Sequence, residues 1–188
     1  NFWGDEKRKP EGEIISVLGD PQDTEALISS LLINHGIEEK FSNEVLKEVD
    51  KIDENIQKEI YNRKDLRHLD IITIDGEDAK DLDDAVYVEK TDIGYKLYVS
   101  IADVSYYVEE DTALDNEAFK RGNSIYLVDR VIPMLPRKLS NNLCSLNPNE
   151  DKLTFTVEID FDSKGKVIKN DFYKSIIKSK YRMTYTNV

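Results

Sequence analysis

The chain has 188 residues, a formal net charge of −12, and a composition that is 39% hydrophobic and 34% charged. That length suffices for the core of one moderate domain plus an appendage, while the acidity speaks against a protein that coats nucleic acid through a basic surface. No apolar run approaches the ~20 residues of a membrane helix, the opening NFWGDEKRKP lacks a signal-peptide pattern, and the single cysteine excludes an internal disulfide and suits a reducing cytoplasm.

In chain order, residues 1–12 are charged and carry Pro10 and Gly12, which reads as a loop. The aromatic pair Phe2–Trp3 suggests a piece of a preceding domain. EIISVL (13–18) reads as a strand ended by Gly19-Asp20-Pro21. Thr24 is placed to cap a helix with apolar positions Leu27, Ile28, Leu31 and Leu32 and a stop at Gly36. A second helix is expected from Ser42. Its buried face is Val45, Val49, Ile52, Ile56 and Ile60, and its outer face carries Glu44, Lys47, Glu48, Asp53 and Lys58. Residues 63–70 form a polar lead-in, with His68 at the surface.

The stretch IITIDGEDAKDLDDAV (71–86) is the most informative. An apolar strand (Ile71, Ile72, Ile74) empties into a loop of carboxylates. From Asp70 to Asp84 there are seven acidic residues and one lysine, a local charge of −6. Two carboxylates ~4 Å apart repel by about 4 kcal/mol at an effective dielectric near 20. Gathering Asp75, Asp81, Asp83 and Asp84 therefore calls for protons or a divalent cation. Oxygen ligands without His or Cys favour magnesium, manganese or calcium over zinc. The plain alternative is a solvated acidic loop. In an extended segment Asp81 and Asp83 share a face and Asp84 points away, so the loop must curl for all four to meet.

Beyond the loop, Tyr95–Asp103 alternates, with Leu97, Val99 and Ile101 facing one way and Tyr98, Ser100 and Ala102 the other. It should pair with 85–89 through a turn at Thr91–Gly94. Thr112 and Asp115 resemble a capping box opening a helix that stops at Gly122. Ser124–Val128 reads as a short strand, and IPMLP (132–136) is irregular because of its prolines. A short helix is expected to hold Leu139, Leu143 and Leu146, and Cys144 reads as a buried thiol. Phe155, Val157, Ile159 and Phe161 alternate with Thr156, Glu158 and Asp160 as a half-buried strand. Residues 163–165 turn the chain back into 167–178. Residues 164–182 hold seven Lys or Arg against one Asp, +6 in all, which suits either a polyanion or an ordinary solvated face. KYRMTYTNV (180–188) offers no closing element.

IDGEDAKDLDDAV, ADVSYYV (102–108), RGNSIYL (121–127), IPMLP and LSNNLCSLNP (139–148), in this order, resemble the catalytic (RNB) domain of the ribonuclease R and ribonuclease II family. The DGEDAKDLDDAV and RMTYT forms are nearer the ribonuclease R branch. The resemblance implies an α+β fold, a mixed sheet with flanking helices. It implies three parts: residues 1–20 as the end of an OB-type cold-shock domain, 21–60 as a helical connector, and 61–188 as the first part of the catalytic domain. The implied activity is processive 3′→5′ hydrolysis of RNA to 5′-mononucleotides with magnesium, manganese being an alternative. The implied partners are single-stranded RNA with a free 3′ end, and structured RNA for the full-length parent; a monomer in the cytoplasm is expected. By position, Asp75 and Asp84 would bind a metal directly. Asp83 would hold metal or orient the attacking water, and Asp81 would support a second metal. Asp81 and Asp83 are thus the catalytic pair, Asp78 is a loop residue, and Tyr126 packs near the last nucleotides. The family's catalytic domain is far longer, and its later part carries an aromatic clamp, an arginine and a glutamate. The chain alone is therefore expected to be inactive or nearly so.

Three rival readings differ in class. A haloacid-dehalogenase-type phosphotransferase needs a nucleophilic aspartate where Thr73 stands. An EF-hand counted from Asp75 meets Lys80 at its sixth position and Val86 at its twelfth. A non-catalytic RNA-binding or metal-binding module would not need all four aspartates. Tyr106, Tyr107, Tyr181 and Tyr185 read as core-edge residues. Arg63, Arg67 and Arg121 read as salt-bridge partners, and Asn141 and Asn142 as turn or helix-start residues.

Overall fold

The computed structural model describes Lys7, Lys9 and residues 11–188, in two compact units, Asn1–Lys40 and Phe41–Val188. Phe2, Trp3 and Pro10 lie outside the described residues. In the first unit, helix α1 (Thr24–Asn34) is capped by Asp23, whose carboxylate accepts from the Glu25 amide at 3.1 Å. The cap thus falls one residue before Thr24, on a charged side chain that also answers the positive end of the helix. The helix closes at Gly36, whose φ of +69° a glycine adopts without strain. Ala26 and Leu32 are its buried residues, whereas Leu27 and Leu31 are exposed. Residues 13–18 are not a strand, and Ile14, Ile15 and Val17 are exposed. A strand exists only through a ladder partner, and none of the described residues supplies one there.

The second unit begins with α2 (Asn43–Asp50), capped by Ser42 as expected. The long helix read through Ile60 is in fact two pieces, α2 and the single turn α3 (Gln57–Ile60). Asp53 accepts from the Asn55 amide at 2.9 Å and Asn55 from the Gln57 amide at 3.0 Å. These local turns compete with helix continuation. There follow β1 (Lys64–Asp65), β2 (Ile72–Asp75), β3 (Asp84–Lys90), β4 (Gly94–Ala102), α4 (Ala113–Arg121), β5 (Ile125–Tyr126), β6 (Val131–Ile132), a five-residue π-helical turn Leu139–Leu143, β7 (Asp151–Asp162), β8 (Val167–Lys178) and β9 (Tyr181–Thr184).

Seven strands make one mixed sheet in the order β1-β8-β7-β4-β3-β2-β9, and β5 pairs with β6 apart from it. With its flanking helices this is the expected α+β class. The β3–β4 and β7–β8 hairpins form at the expected turns. Thr112 caps α4, accepting from the Asp115 amide at 3.2 Å, and Gly122 ends it. In the first hairpin a Cβ at Gly94 would run into the Phe161 carbonyl, so β4 and β7 approach closely there. One expectation fails: β9 closes onto β2 in parallel, Ile72↔Tyr181 through Asp75↔Thr184, so the basic C-terminal residues do contribute an edge strand.

The core gathers Val45 and Val49 of α2, Leu114 of α4, and Ile71, Leu82, Leu139 and Leu146. The sheet's buried face is unexpectedly polar. Thr154, Thr156, Ser100 and Ser175 are fully buried, while Phe155 on the opposite face is 43% exposed. Their hydroxyls satisfy one another, Ser100–Thr156 at 2.7 Å, Thr156–Ser175 at 2.6 Å and Thr154–Ser175 at 2.7 Å, which removes the cost of burying them unpaired. Arg63 is not at the surface; it is buried in an ion pair with Asp103 at 2.7 Å. Burial pushes the Asp103 carboxyl up, and Arg63 and the Ser105 hydroxyl outweigh it, holding it below its ordinary value. Cys144 is buried and free, and burial, then the nearby Asp83 charge, push its thiol up to about 12. No helix among the described residues is long and apolar enough to cross a membrane.

Candidate carboxylate site

Two neighbouring strands deliver the acidic residues. Asp75 is the last residue of β2 and Asp84 the first of β3, which pair antiparallel at Ile72↔Val86. Residues 76–83 leave the ladder and curl, beginning with a turn in which the Ala79 amide donates to the Gly76 carbonyl at 3.1 Å. The curl brings three of the four aspartates to one cavity and leaves Asp84 out of its lining. Asp75, Asp81, Asp83 and Tyr126 line one cavity of about 720 Å³, shared with Arg130, Arg137, Ser140 and Asn141. Asp84 stands beside it at the start of β3.

The loop is held from several sides. The Ser145 hydroxyl donates to the Lys80 carbonyl at 2.9 Å and accepts from the Leu82 amide at 3.1 Å. The Leu146 amide donates to the Leu82 carbonyl at 2.8 Å, and the Ala102 amide to the Asp83 carbonyl at 2.9 Å. From β9, Arg182 donates through Nη2 to the carbonyls of Glu77 at 2.6 Å, Ala79 at 2.8 Å and Gly76 at 3.3 Å. Sequence reasoning assigned no role to Ser145 or Arg182. The only signal was their place inside the LSNNLCS and RMTYT motifs.

The electrostatics are those of crowded carboxylates. Asp83 is exposed at its surface yet crowded by its acidic neighbours. Its partial burial, then the charges of Asp81, Asp84 and Asp75, push its carboxyl up to about 6. Asp75 is raised first by burial and then by Asp84 and Asp81, with Arg182 opposing. Its Oδ2 is buried and without a hydrogen-bond partner. Tyr126 donates to Asp81 Oδ2 at 2.6 Å; that bond first, then burial and the charges of Asp81 and Asp83, push the phenol up to about 12.

The donor set fits a hard divalent cation, since it is all oxygen and includes a buried carboxylate oxygen lacking any partner. Among the described residues no three His, Cys, Asp or Glu side chains converge tightly enough to grip an ion as they stand. Unneutralised carboxylates hold one another apart, and a cation would draw them in. A second cavity of about 710 Å³ lies between α2 and the start of α4, lined by Glu44, Lys47, Glu48 and Lys51 among others. There acids and lysines alternate, and Glu48 already accepts from the Leu114 amide at 2.7 Å, so the carboxylate cavity is the stronger candidate.

The RNB domain family matches residues 63–188, and the cold shock domain family matches residues 2–42. Ribonuclease R of Thermotoga maritima is 50% identical over 185 residues, 96% of this chain but 26% of that protein. Ribonuclease R of Escherichia coli K12 is 46% identical over 184 residues, 97% of this chain and 23% of that one. The chain thus spans about a quarter of the length of these curated relatives. Mycoplasma genitalium RNase R in complex with double-stranded RNA superimposes with a TM-score of 0.87 at 37% identity, over 90% of this chain and 30% of that one. Yeast Ssd1, a pseudonuclease, shares the fold at a TM-score of 0.78 and 19% identity, over 92% of this chain and 22% of that one.

Proposed function

The chain belongs to the RNB domain family, and from that premise we propose that it is the carboxylate-bearing part of a 3′→5′ exoribonuclease of the ribonuclease R type. The proposed reaction is processive hydrolysis of RNA phosphodiesters to 5′-mononucleotides, and the proposed substrate is RNA entering by a free 3′ end. Residues 1–20 are assigned to the end of a cold-shock domain, 21–60 to a connector and 61–188 to the catalytic domain. Cys144, free and buried, is in keeping with a reducing cytoplasm.

The observation that carries this reading is the loop itself, where burial and the charges of Asp81 and Asp84 raise the carboxyls of Asp75 and Asp83 beside a cavity and a carboxylate oxygen of Asp75 lies buried unpaired. Asp75 and Asp84 would hold magnesium or manganese directly, with Asp83 and Asp81 completing a second position. Two such ions supply an activated water and stabilise the leaving oxygen in phosphodiester hydrolysis. The protein's own part is positional. Asp83, beside Asp81 on the wall of the cavity, is placed to orient a water. Tyr126 keeps Asp81 aimed into the cavity through their hydrogen bond and presents its ring to the end of the substrate.

The test is a transplant. This chain replaces the matching segment of the Thermotoga maritima relative, and the product is given 5′-labelled single-stranded RNA with magnesium. Stepwise shortening from the 3′ end is expected, with a loss of ~100-fold or more for Asp83→Asn, about 2.7 kcal/mol in the barrier. Equal activity of the two forms removes Asp83 from the chemistry. RNA binding without cleavage by either favours the second reading, a non-catalytic RNA-binding module.

A further inference from the structure

We propose that Arg182 is a positioning residue for the carboxylate site, its guanidinium gathering the backbone carbonyls of Gly76, Glu77 and Ala79 so that the loop keeps the curl that turns the aspartates toward one space. The inference rests on the metal-site reading given above.

Three carbonyl oxygens turned toward one point repel, and a cationic donor placed among them offsets that repulsion. Arg182 Nη2 lies 2.6 Å from Glu77 O, 2.8 Å from Ala79 O and 3.3 Å from Gly76 O. Its anchor is well chosen. In β9, Arg182 stands opposite Thr73, two residues before Asp75 on the neighbouring strand, so the side chain reaches forward over the segment that follows Asp75. Ser145 and β4 fix residues 80–83, whereas 76–79 are held, among the described residues, by their own turn, by the packing of Ala79 against the core and by hydrogen bonds from this arginine. Arg182 itself is exposed, so it is not part of the hydrophobic core and its contacts are directed at the loop.

A rival account gives Arg182 a purely electrostatic task, its charge relieving repulsion among the acids. The two accounts predict opposite signs. Removing a positive charge beside an acidic site strengthens attraction for a cation. Removing a clamp lets the loop spread and weakens it.

The test uses the 188-residue chain and Mn2+ as the probe, with free Mn2+ followed by electron paramagnetic resonance. Wild type, Arg182→Ala, Arg182→Lys and Asp83→Asn are compared. Amide hydrogen exchange across residues 76–82 is measured without metal. We expect Arg182→Ala to weaken Mn2+ binding at least 10-fold and to speed exchange in 76–82, leaving exchange in β4, β7 and β8 unchanged. Arg182→Lys keeps the charge and places a three-donor nitrogen on a different stem, so it should fall between wild type and the alanine variant. Unchanged or tighter Mn2+ binding by Arg182→Ala overturns the proposal. If wild type binds no Mn2+, or binds it equally well as Asp83→Asn, the metal-site reading fails by itself. Exchange then decides for Arg182: faster exchange in 76–82 upholds its hold on the loop, and unchanged exchange overturns it.

Discussion

Replacing Ser145 by alanine removes a single oxygen, yet that oxygen ties together both ends of the segment that carries Asp81. Ser145 is fully buried and Leu82 is 1% exposed, so water cannot substitute for the lost hydroxyl. Two hydrogen bonds disappear, to the Lys80 carbonyl and from the Leu82 amide. Each is worth about 1 kcal/mol net, and leaving the buried amide unsatisfied raises the total to about 2–4 kcal/mol. For a unit of this size about 1 kcal/mol moves the midpoint by roughly 2–4 °C, so Tm should fall by about 4–16 °C. Thermal unfolding followed by circular dichroism measures this, and amide exchange at 80–82 should accelerate in the same variant. A fall below about 2 °C, with exchange unchanged, would refute the claim that Ser145 holds the loop.

Two further outcomes concern pH. Burial pushes the Glu158 carboxyl up, but hydrogen bonds from Lys64, Lys96 and Tyr173 outweigh it and hold the group at about 2. A lowered folded-state value stabilises fully above the ordinary 4.5 and loses that contribution as pH falls from there toward about 2. Glu158→Gln should therefore melt lower than wild type at pH 7 and converge with it in acid, as Tm against pH would show. Asp83 behaves oppositely. Its folded-state value of about 6 exceeds the ordinary 3.8, so its ionised form opposes folding increasingly between those values and fully above them. In chelator at pH 7, Asp83→Asn should be more stable than wild type by about 1 kcal/mol after allowance for solvent screening, and the gain should vanish near pH 4. An Asp83→Asn variant less stable than wild type in chelator would contradict the crowding described above.

What could be read from the sequence divides along a physical line. Hairpins β3–β4 and β7–β8 were legible because a turn signal and two alternating runs lie side by side in the chain. The parallel pairing of β9 with β2 was not, since nothing local to KYRMTYTNV names a partner roughly a hundred residues away. Val45 to Ile60 kept a helical period through a break, because periodicity records the buried face and is blind to the Asp53 and Asn55 turns that interrupt the backbone. In β7 the apolar side chains suggested the inward face, yet Thr154 and Thr156 are the buried ones. Hydroxyls that satisfy one another leave no trace in a hydropathy pattern. At the candidate site the aspartates were legible as a density of charge. Ser145 and Arg182 act on backbone atoms, and a backbone atom has no letter in a sequence.

The roughly hundred residues between β2 and β9 also set a timetable. A ribosome adding about 5–20 residues per second needs roughly 5–20 s to pass from β2 to β9. During that interval the nascent chain already carries every aspartate of the loop but lacks the strand from which Arg182 reaches them. Until β9 arrives, the carbonyls of Gly76, Glu77 and Ala79 lack the guanidinium that gathers them.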